Sequence, residues 1–310
     1  MSKRRILDRS LMHMAARLHY VDGLSQRDVA KKLDISTASA SRVLARAREE
    51  GVVQIKVADI FETDALGAKL ATALGLRAAS VCESTRPHDM AYRVSELLRE
   101  GDLPGSPVIA IGWGRTIKSV LMEGLPKLPG SSIVPCIGGM EETEPHFQIN
   151  ELVRLAAEST GGQAMFLHAP YLASKELRGV LERDPKSRRV FESWSKVDAA
   201  IFGIGSIAQA AYIETLHFGE TNRARVVGDV ARRYYDIDGI EVLWDGEEDL
   251  MAIPRLDMRR IPLSIGVAAG HDKADAILGA VRSGMVNALV TDSATASDLL
   301  ASLNVSPDGH

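Results

Sequence analysis

Two cations and a carboxylate stand beside glycines in a pattern suited to holding an anionic, hydroxylated ligand. Arg115 and Thr116 follow Gly112 and Gly114 in GWGRT, Lys273 follows a glycine in AAGHDKA, and Asp229 closes VVGD. Two more glycine runs, IGG with Gly138 and Gly139 and GIG beginning at Gly203, also follow apolar, strand-like stretches. Ligands of open α/β sheets sit beyond the carboxyl ends of the strands. Glycine there lets backbone amides approach an anion, and a helix starting at the same place adds its positive end. A single glycine after a strand is ordinary turn chemistry; five such ends with two cations and a carboxylate point to a ligand. GWGRT lacks the third glycine of a dinucleotide loop and the Gly-Lys-Ser/Thr of a P-loop.

A second chemistry lies near the start of the chain. Residues 24–50, LSQRDVAKKLDISTASASRVLARAREE, read as two short helices joined by a tight turn. Apolar Val29, Leu33, Ile35, Ala40 and Val43 have the spacing that locks two helices at a steep angle, with small Ala30 where they would cross. Ser25 and Ser36 are candidate N-caps. Asp34 takes the turn position usually given to glycine, and aspartate tolerates a left-handed backbone. The second helix would present Thr37, Ala38, Ser41, Arg42 and Arg46, with Ser25 and Gln26 at the start of the first. Short hydrogen-bonding groups followed by cations suit base edges and then phosphates.

Charge separates this reading from an incidental helical hairpin. Residues 1–56 carry twelve Lys/Arg against six Asp/Glu, while the whole chain carries 37 against 41. The remainder is therefore acidic, and a basic module on an acidic body is what phosphate attraction at one end requires.

The elements that must position these groups follow from periodicity. Residues 9–21 form a helix able to pack on the two-helix motif, Gly51 ends its second helix, and residues 52–57 alternate as a wing strand. Residues 59–63 look like a junction, giving a winged helix-turn-helix over 1–58 and a large domain over 59–310. Beyond the junction the apolar runs AASV, PVIAIG, SSIVPCIGG, AAIFGIG, IPLSIGVAAG and ALVTD alternate with helical patterns such as 89–100, 150–160 and 272–282. Near-continuous apolar strands separated by helices predict an α/β fold, a doubly wound, mostly parallel sheet covered on both faces. The last residues, SPDGH, read as a loose tail.

At 310 residues, with 45% hydrophobic and 25% charged residues, the composition is that of a soluble globular chain. No apolar run reaches the ~20 residues of a membrane span, and MSKRRILDRS lacks the apolar stretch of a signal peptide. Cys82 and Cys136 have no metal-ligand or disulfide spacing and read as small core residues, so a cytoplasmic setting and no metal or cofactor are expected.

The motifs LSQRDVAKKLDIS, GWGRT, FLHAPYLAS, GIGS, VVGD, DIDG, AAGHDKADAI and LVTDSATASDLL together resemble the SorC family of bacterial transcriptional regulators, the SorC/DeoR sugar-binding-domain family. The resemblance covers nearly the whole chain. It implies a large domain similar to sugar-phosphate isomerases and deaminases, a phosphorylated sugar or polyol as effector, operator DNA as partner, and a homo-oligomer, usually a tetramer. By that resemblance Gly114, Arg115 and Thr116 match the phosphate loop and Lys273 the phosphate-binding lysine. Gly138, Gly139 and Asp229 match the wall facing the sugar, with Asp229 accepting its hydroxyls. Ile137 before the glycine pair leaves no amine for an imine, so binding is expected to be non-covalent. His168 and His271 are expected to hydrogen-bond sugar or backbone rather than act as acid or base, and Asp292 to cap the following helix. Tyr234 and Tyr235 are expected in the core or at a subunit interface, and Leu11, Met14 and Leu18 in the core or at a dimer contact. The expected function is an effector-controlled regulator of a carbohydrate-use operon with no catalytic residues. The alternative is an isomerase- or deaminase-like enzyme acting on sugar phosphates, with an N-terminal interaction module.

Overall fold

The structure, a computed structural model, describes residues 3–53, 60–140, 148–207, 218 and 220–304. The chain divides into two compact units, Met1–Asp59 and Ile60–His310.

In the first unit α1 (Lys3–Ala16) continues as a π-helical turn, Arg17–Val21, and is followed by α2 (Gln26–Lys32) and α3 (Thr37–Glu49). Serine caps start both short helices: Ser25 Oγ accepts the Asp28 amide at 3.2 Å and Ser36 Oγ accepts that of Ser39 at 3.1 Å. Ala15, Val29, Ala30, Ala40 and Leu44 are buried together, with Leu18, Leu24, Leu33, Ile35 and Val43 packed around them. Three alanines in this cluster let the helix backbones approach closely. The turn holds Asp34 at φ 53°, the left-handed conformation expected of it, and Gly51 at φ 71° ends α3. Met14 is half exposed, whereas Leu11 and Leu18 are partly buried. After Gly51, Val52 and Val53 turn onto Met12, Ala16 and Ala47 as a bend rather than a strand. The rest of the predicted wing lies outside the described residues, as does the C-terminal tail.

The second unit carries α4 (Ile60–Leu74), β1 (Ala78–Cys82), α5 (Pro87–Glu100), β2 (Val108–Ile111), α6 (Arg115–Glu123), β3 (Ser132–Pro135), α7 (Ile149–Thr160) and β4 (Gln163–Ala164). There follow α8 (Lys175–Arg183), α9 (Pro185–Trp194), β5 (Ala199–Gly203), β6 (Gly205–Ser206), α10 (Glu220–Arg223), β7 (Gly228–Val230) and β8 (Arg233–Tyr235). The last elements are α11 (Arg255–Met258), β9 (Leu263–Val267), α12 (Ala274–Arg282), β10 (Ala288–Asp292) and α13 (Ser293–Asn304). Seven strands form one sheet in the order β1-β10-β9-β5-β2-β3-β4, with every pairing parallel. Helices α4, α5, α6, α7, α9 and α13 pack on it. Strands β9 and β10 are buried at every residue, which explains their unbroken apolar runs. Cys82 and Cys136 belong to this core, and burial pushes their thiols up to about 11 and about 12.

One expectation needs correction. VVGD does not end a strand of the main sheet: Gly228 begins β7, the middle strand of a separate antiparallel sheet, β6-β7-β8. Apolar Val226 and Val227 imitate a strand end, but the pairing partners of this segment are local. Helix α12 lies on β7, with Gly228 and Gly279 leaving room for the approach: a Cβ on Gly279 would meet the Asp236 carbonyl oxygen at 2.6 Å. Tyr234 and Tyr235 are fully buried here, so they are core residues.

A buried charge cluster ties this small sheet to the segment after it. Glu247 accepts from Arg233 at 2.9 Å and from Arg255 at 2.8 Å, and all three side chains are nearly inaccessible. Burial pulls the Arg255 guanidinium down, against the attraction of Glu247 and Glu241. Removing the shared acid strands two buried cations, a change that costs about 3–5 kcal/mol when such a pair is broken. Glu247→Ala is therefore expected to lower the denaturant midpoint of this unit sharply, while Glu158→Ala on the surface of α7 leaves it nearly unchanged.

Candidate functional site

The sheet order decides where a ligand can enter. From β2 the chain moves outward to β3 and β4, whereas β5, the next neighbour, leads the other way to β9 and β10. Neighbouring strands whose connections diverge leave a crevice beyond their carboxyl ends, and here it opens between β2 and β5. The loops that border it are 112–116 and 203–205, two of the predicted glycine runs.

Lys273 reaches this crevice from the next strand. It precedes α12, and its Nζ donates to the Ile204 carbonyl in the β5 loop at 3.2 Å. Burial lowers the ammonium pKa, Asp272 and Asp229 draw it back up, and Arg115 lowers it further. Lys273, Asp229 and Arg115 therefore share one electrostatic neighbourhood. Arg115 is exposed at the first position of α6 and Thr116 beside it is exposed too. Gly114, at φ 138°, has open space where a side chain would begin, so its glycine answers to backbone conformation. The first intrahelical bond runs from the Lys118 amide to the Gly114 carbonyl, which leaves the amides before it outside the helix ladder.

The other glycines serve packing. The Gly112 amide donates to Ile201, that of Gly138 to Met251 and that of Gly139 to Ala169, each to a backbone carbonyl within 2.7–2.8 Å. A Cβ on Gly138 would stand 2.3 Å from the Pro170 carbonyl oxygen, and one on Gly112 2.9 Å from that of Ile201. The expectation that these three offer amides to an anion is thus corrected, because backbone pairing consumes them. Gly203 ends β5 against the Trp113 carbonyl and Ile117. The FLHAPYLAS segment is what the glycine pair packs on, since Gly139 bridges Pro170 and Tyr171 donates back to Gly139.

Asp229 is 8% exposed and accepts the Arg232 amide at 3.0 Å. That bond closes the two-residue turn between β7 and β8, where Ala231 and Arg232 stand at φ 52° and 63°. Both central residues are left-handed, as a type I′ turn requires, although neither is the glycine or asparagine that usually marks one. Sequence reasoning consequently missed Arg232, whose guanidinium lies 5.6 Å from the Tyr171 ring centroid and donates to Tyr234 Oη. In DIDG, Asp236 accepts from Arg225 and from the Ile240 amide, and Gly239 packs against the end of α12. That motif holds the small sheet.

His168 is exposed beside Phe166, and His271 pairs with Asp298 at 2.8 Å rather than with backbone. The Asp298 hydrogen bond raises the His271 pKa, and the pair is exposed on the surface. Asp292 caps α13 through the amides of Ala294 and Thr295, and also accepts the Gly270 amide at 3.0 Å. It thereby anchors the loop that carries Lys273. Among the described residues no group of His, Cys, Asp and Glu is placed to hold a metal.

In the first unit the outward face of α3 exposes Thr37, Ala38, Ser41, Arg42 and Arg46, and Gln26 is exposed at the start of α2. Arg46 is engaged by Glu50 at 2.6 Å. Arg42 has a 3.4 Å contact to Ser39 Oγ and stands otherwise displayed. Ser25 Oγ also donates to Asp28, so both cap hydroxyls are occupied in the free chain.

The Asp292 carboxylate has a distinct pH signature. Burial raises its pKa, but the Thr295 hydroxyl and the Thr295, Gly270 and Ala294 amides outweigh this and hold it below its ordinary 3.8. A depressed carboxylate adds stability above its ordinary pKa and loses it as the pH falls through the lower value. Asp292→Ala should therefore cost about 1–2 kcal/mol at pH 7. The difference from the parent chain should shrink below about pH 4, as read by urea unfolding across that range.

Comparison with known proteins matches this architecture. The family model described as a sugar-binding domain covers residues 58–301. The sorbitol operon regulator of Klebsiella pneumoniae is 31% identical over 94% of this chain and 98% of its own. The deoxyribonucleoside regulator of Bacillus subtilis is 30% identical over 93% and 96%. The crystal structure of the full-length sorbitol operon regulator SorC from Klebsiella pneumoniae superposes with a TM-score of 0.72 at 28% identity, covering 97% of this chain and 99% of that one. With its sugar-binding domain and its helix-turn-helix unit, this chain belongs to the SorC family of transcriptional regulators.

Proposed function

We propose that the chain binds operator DNA through α3 and is controlled by a phosphorylated sugar or polyol held in the crevice between β2 and β5. The observation that carries the effector reading is Lys273 bonded to Ile204 at the switch point, with Arg115 at the start of α6 close enough to perturb it. Two cations and the helix start suit a phosphate, and Asp229 beside Lys273 suits hydroxyl groups. Arg232 on Tyr171 supplies a third cation next to the glycine pair. The relatives named above regulate sorbitol and deoxyribonucleoside genes, which points to a carbohydrate or polyol. A large domain over 59–310 binds the effector and assembles the oligomer, a tetramer in this reading, while 1–58 reads DNA. The setting is cytoplasmic. The effector acts by population shift, binding one state of the oligomer more tightly and so changing its affinity for DNA.

The two halves of the proposal are tested separately. On DNA, Arg42→Ala should weaken operator binding about tenfold and lower the salt slope by about one, measured by titration at several salt concentrations. Unchanged affinity would remove α3 from the recognition role. For the effector, thermal unfolding is followed against sugar phosphates, each paired with its unphosphorylated form. A ligand at 100 times its Kd should add about 2.7 kcal/mol, and Arg115→Ala with Lys273→Ala should abolish that gain. A response to the free sugar alone would take the phosphate out of the reading. Consumption of any sugar phosphate in the same samples would favour the enzyme alternative.

A further inference from the structure

Helix α8 has no buried residue. Its inner side is used by its own chain: Leu181 packs on the core, Arg178 donates to the carbonyls of Glu248 and Leu250, and α9 lies alongside. The outer side carries Leu177, 39% exposed, and Val180, 55% exposed, three residues apart and so neighbours on the helix surface. Neither joins the packed core.

Glu176, Gly179, Val180 and Arg183 follow one another at i, i+3, i+4 and i+7, the spacing of a single helix face. Glu176 and Arg183 are exposed at its two ends, and neither forms an ion pair with a described residue. Gly179 sits between them in the middle of the helix, where glycine is a poor helix former. Among the described residues nothing calls for it: a Cβ there would meet only the Arg183 guanidinium, at an ordinary 3.6 Å. A second helix crossing at Gly179 does call for it, because the missing side chain lets the two backbones approach.

The charges decide which helix that is. A second α8, laid antiparallel about a two-fold axis between positions 179 and 180, sets Glu176 against the partner's Arg183 and Arg183 against the partner's Glu176. The same axis seats Val180 on the partner's Gly179. A parallel copy would bring like charges together at both ends, and a partner of one charge sign would meet repulsion at one of them. The face is thus complementary to itself, as a two-fold interface requires.

We propose that this face of α8 is an interface between two copies of the chain, the helices antiparallel, Val180 of each on Gly179 of the other, and a Glu176–Arg183 pair closing each end. It gives the oligomer proposed above one of its surfaces and rests on that reading.

The test is sedimentation velocity of the full chain at micromolar concentrations. Glu176→Arg and Arg183→Glu, taken singly, should each raise the dissociation constant of this contact about tenfold, because the symmetry places each like-charge meeting in the interface twice. Combined in one chain they exchange the two charges and should restore parental assembly. Gly179→Leu, which favours the helix in the free chain, should halve the sedimenting mass while far-UV circular dichroism stays that of the parent. A parent that sediments as a monomer would overturn the proposal and the oligomer with it. An oligomer that survives Gly179→Leu would overturn the proposal alone, leaving assembly to another face. Single charge reversals without effect, or losses that the double variant does not rescue, would overturn it in the same way.

Discussion

Placing β5 between β2 and β9 makes two adjacent parallel strands lead their helices in opposite directions. A crevice must open where those connections part, and the arrangement of the site follows from it. Loop 112–116 and loop 203–205 border the crevice because they leave those two strands. Lys273 arrives because β9 is the next strand over, and its ammonium is held by the carbonyl of Ile204. The loop before it is anchored by Asp292 at the end of β10, so three successive strands contribute to holding one cation.

The small antiparallel sheet adds the acidic side of the crevice. Its two-residue turn puts Ala231 and Arg232 into left-handed backbone, and Asp229 closes that turn with its own carboxylate. One side chain thus joins turn geometry to the electrostatics of Lys273. Strained backbone at such a place fits a site whose groups are positioned by surrounding packing rather than by local preference. Behind the same hairpin, Glu247 shared between Arg233 and Arg255 keeps the sheet attached to the segment that pairs with the loop after β3.

Function divides along the chain as its charge does. A basic three-helix unit exposes Arg42 on a helix whose inner face is closed by alanine packing, and an acidic body carries the sugar-binding domain. Family membership makes the chain a regulator, and the geometry bears on how an effector is held.

Much of this was legible in the residues, for identifiable reasons. Helix caps, the left-handed Asp34, the apolar strands and the exposed face of α3 depend on local periodicity and capping chemistry, which one sequence carries in full. Strand order, and with it the meeting of Arg115, Asp229 and Lys273, depends on pairings between residues far apart in the chain, such as Ile109 with Ala199 and Ala199 with Leu263. Only tertiary structure decides such pairings. The same distance hid the role of the glycines: Gly112, Gly138 and Gly139 read as anion loops, but close approach by Ile201, Met251 and Ala169 uses their amides. The Ala231–Arg232 turn and the charge cluster at Glu247 had no signature in the residues, because neither turn residue is the usual glycine or asparagine, and Arg233 and Arg255 stand at no regular helix or strand spacing from Glu247. Sequence by itself determined which chemistries this chain contains and which elements carry them. Tertiary structure decided which of those groups stay open at the crevice and which are spent holding the fold, because hydrogen-bonding capacity is consumed by whatever packs closest.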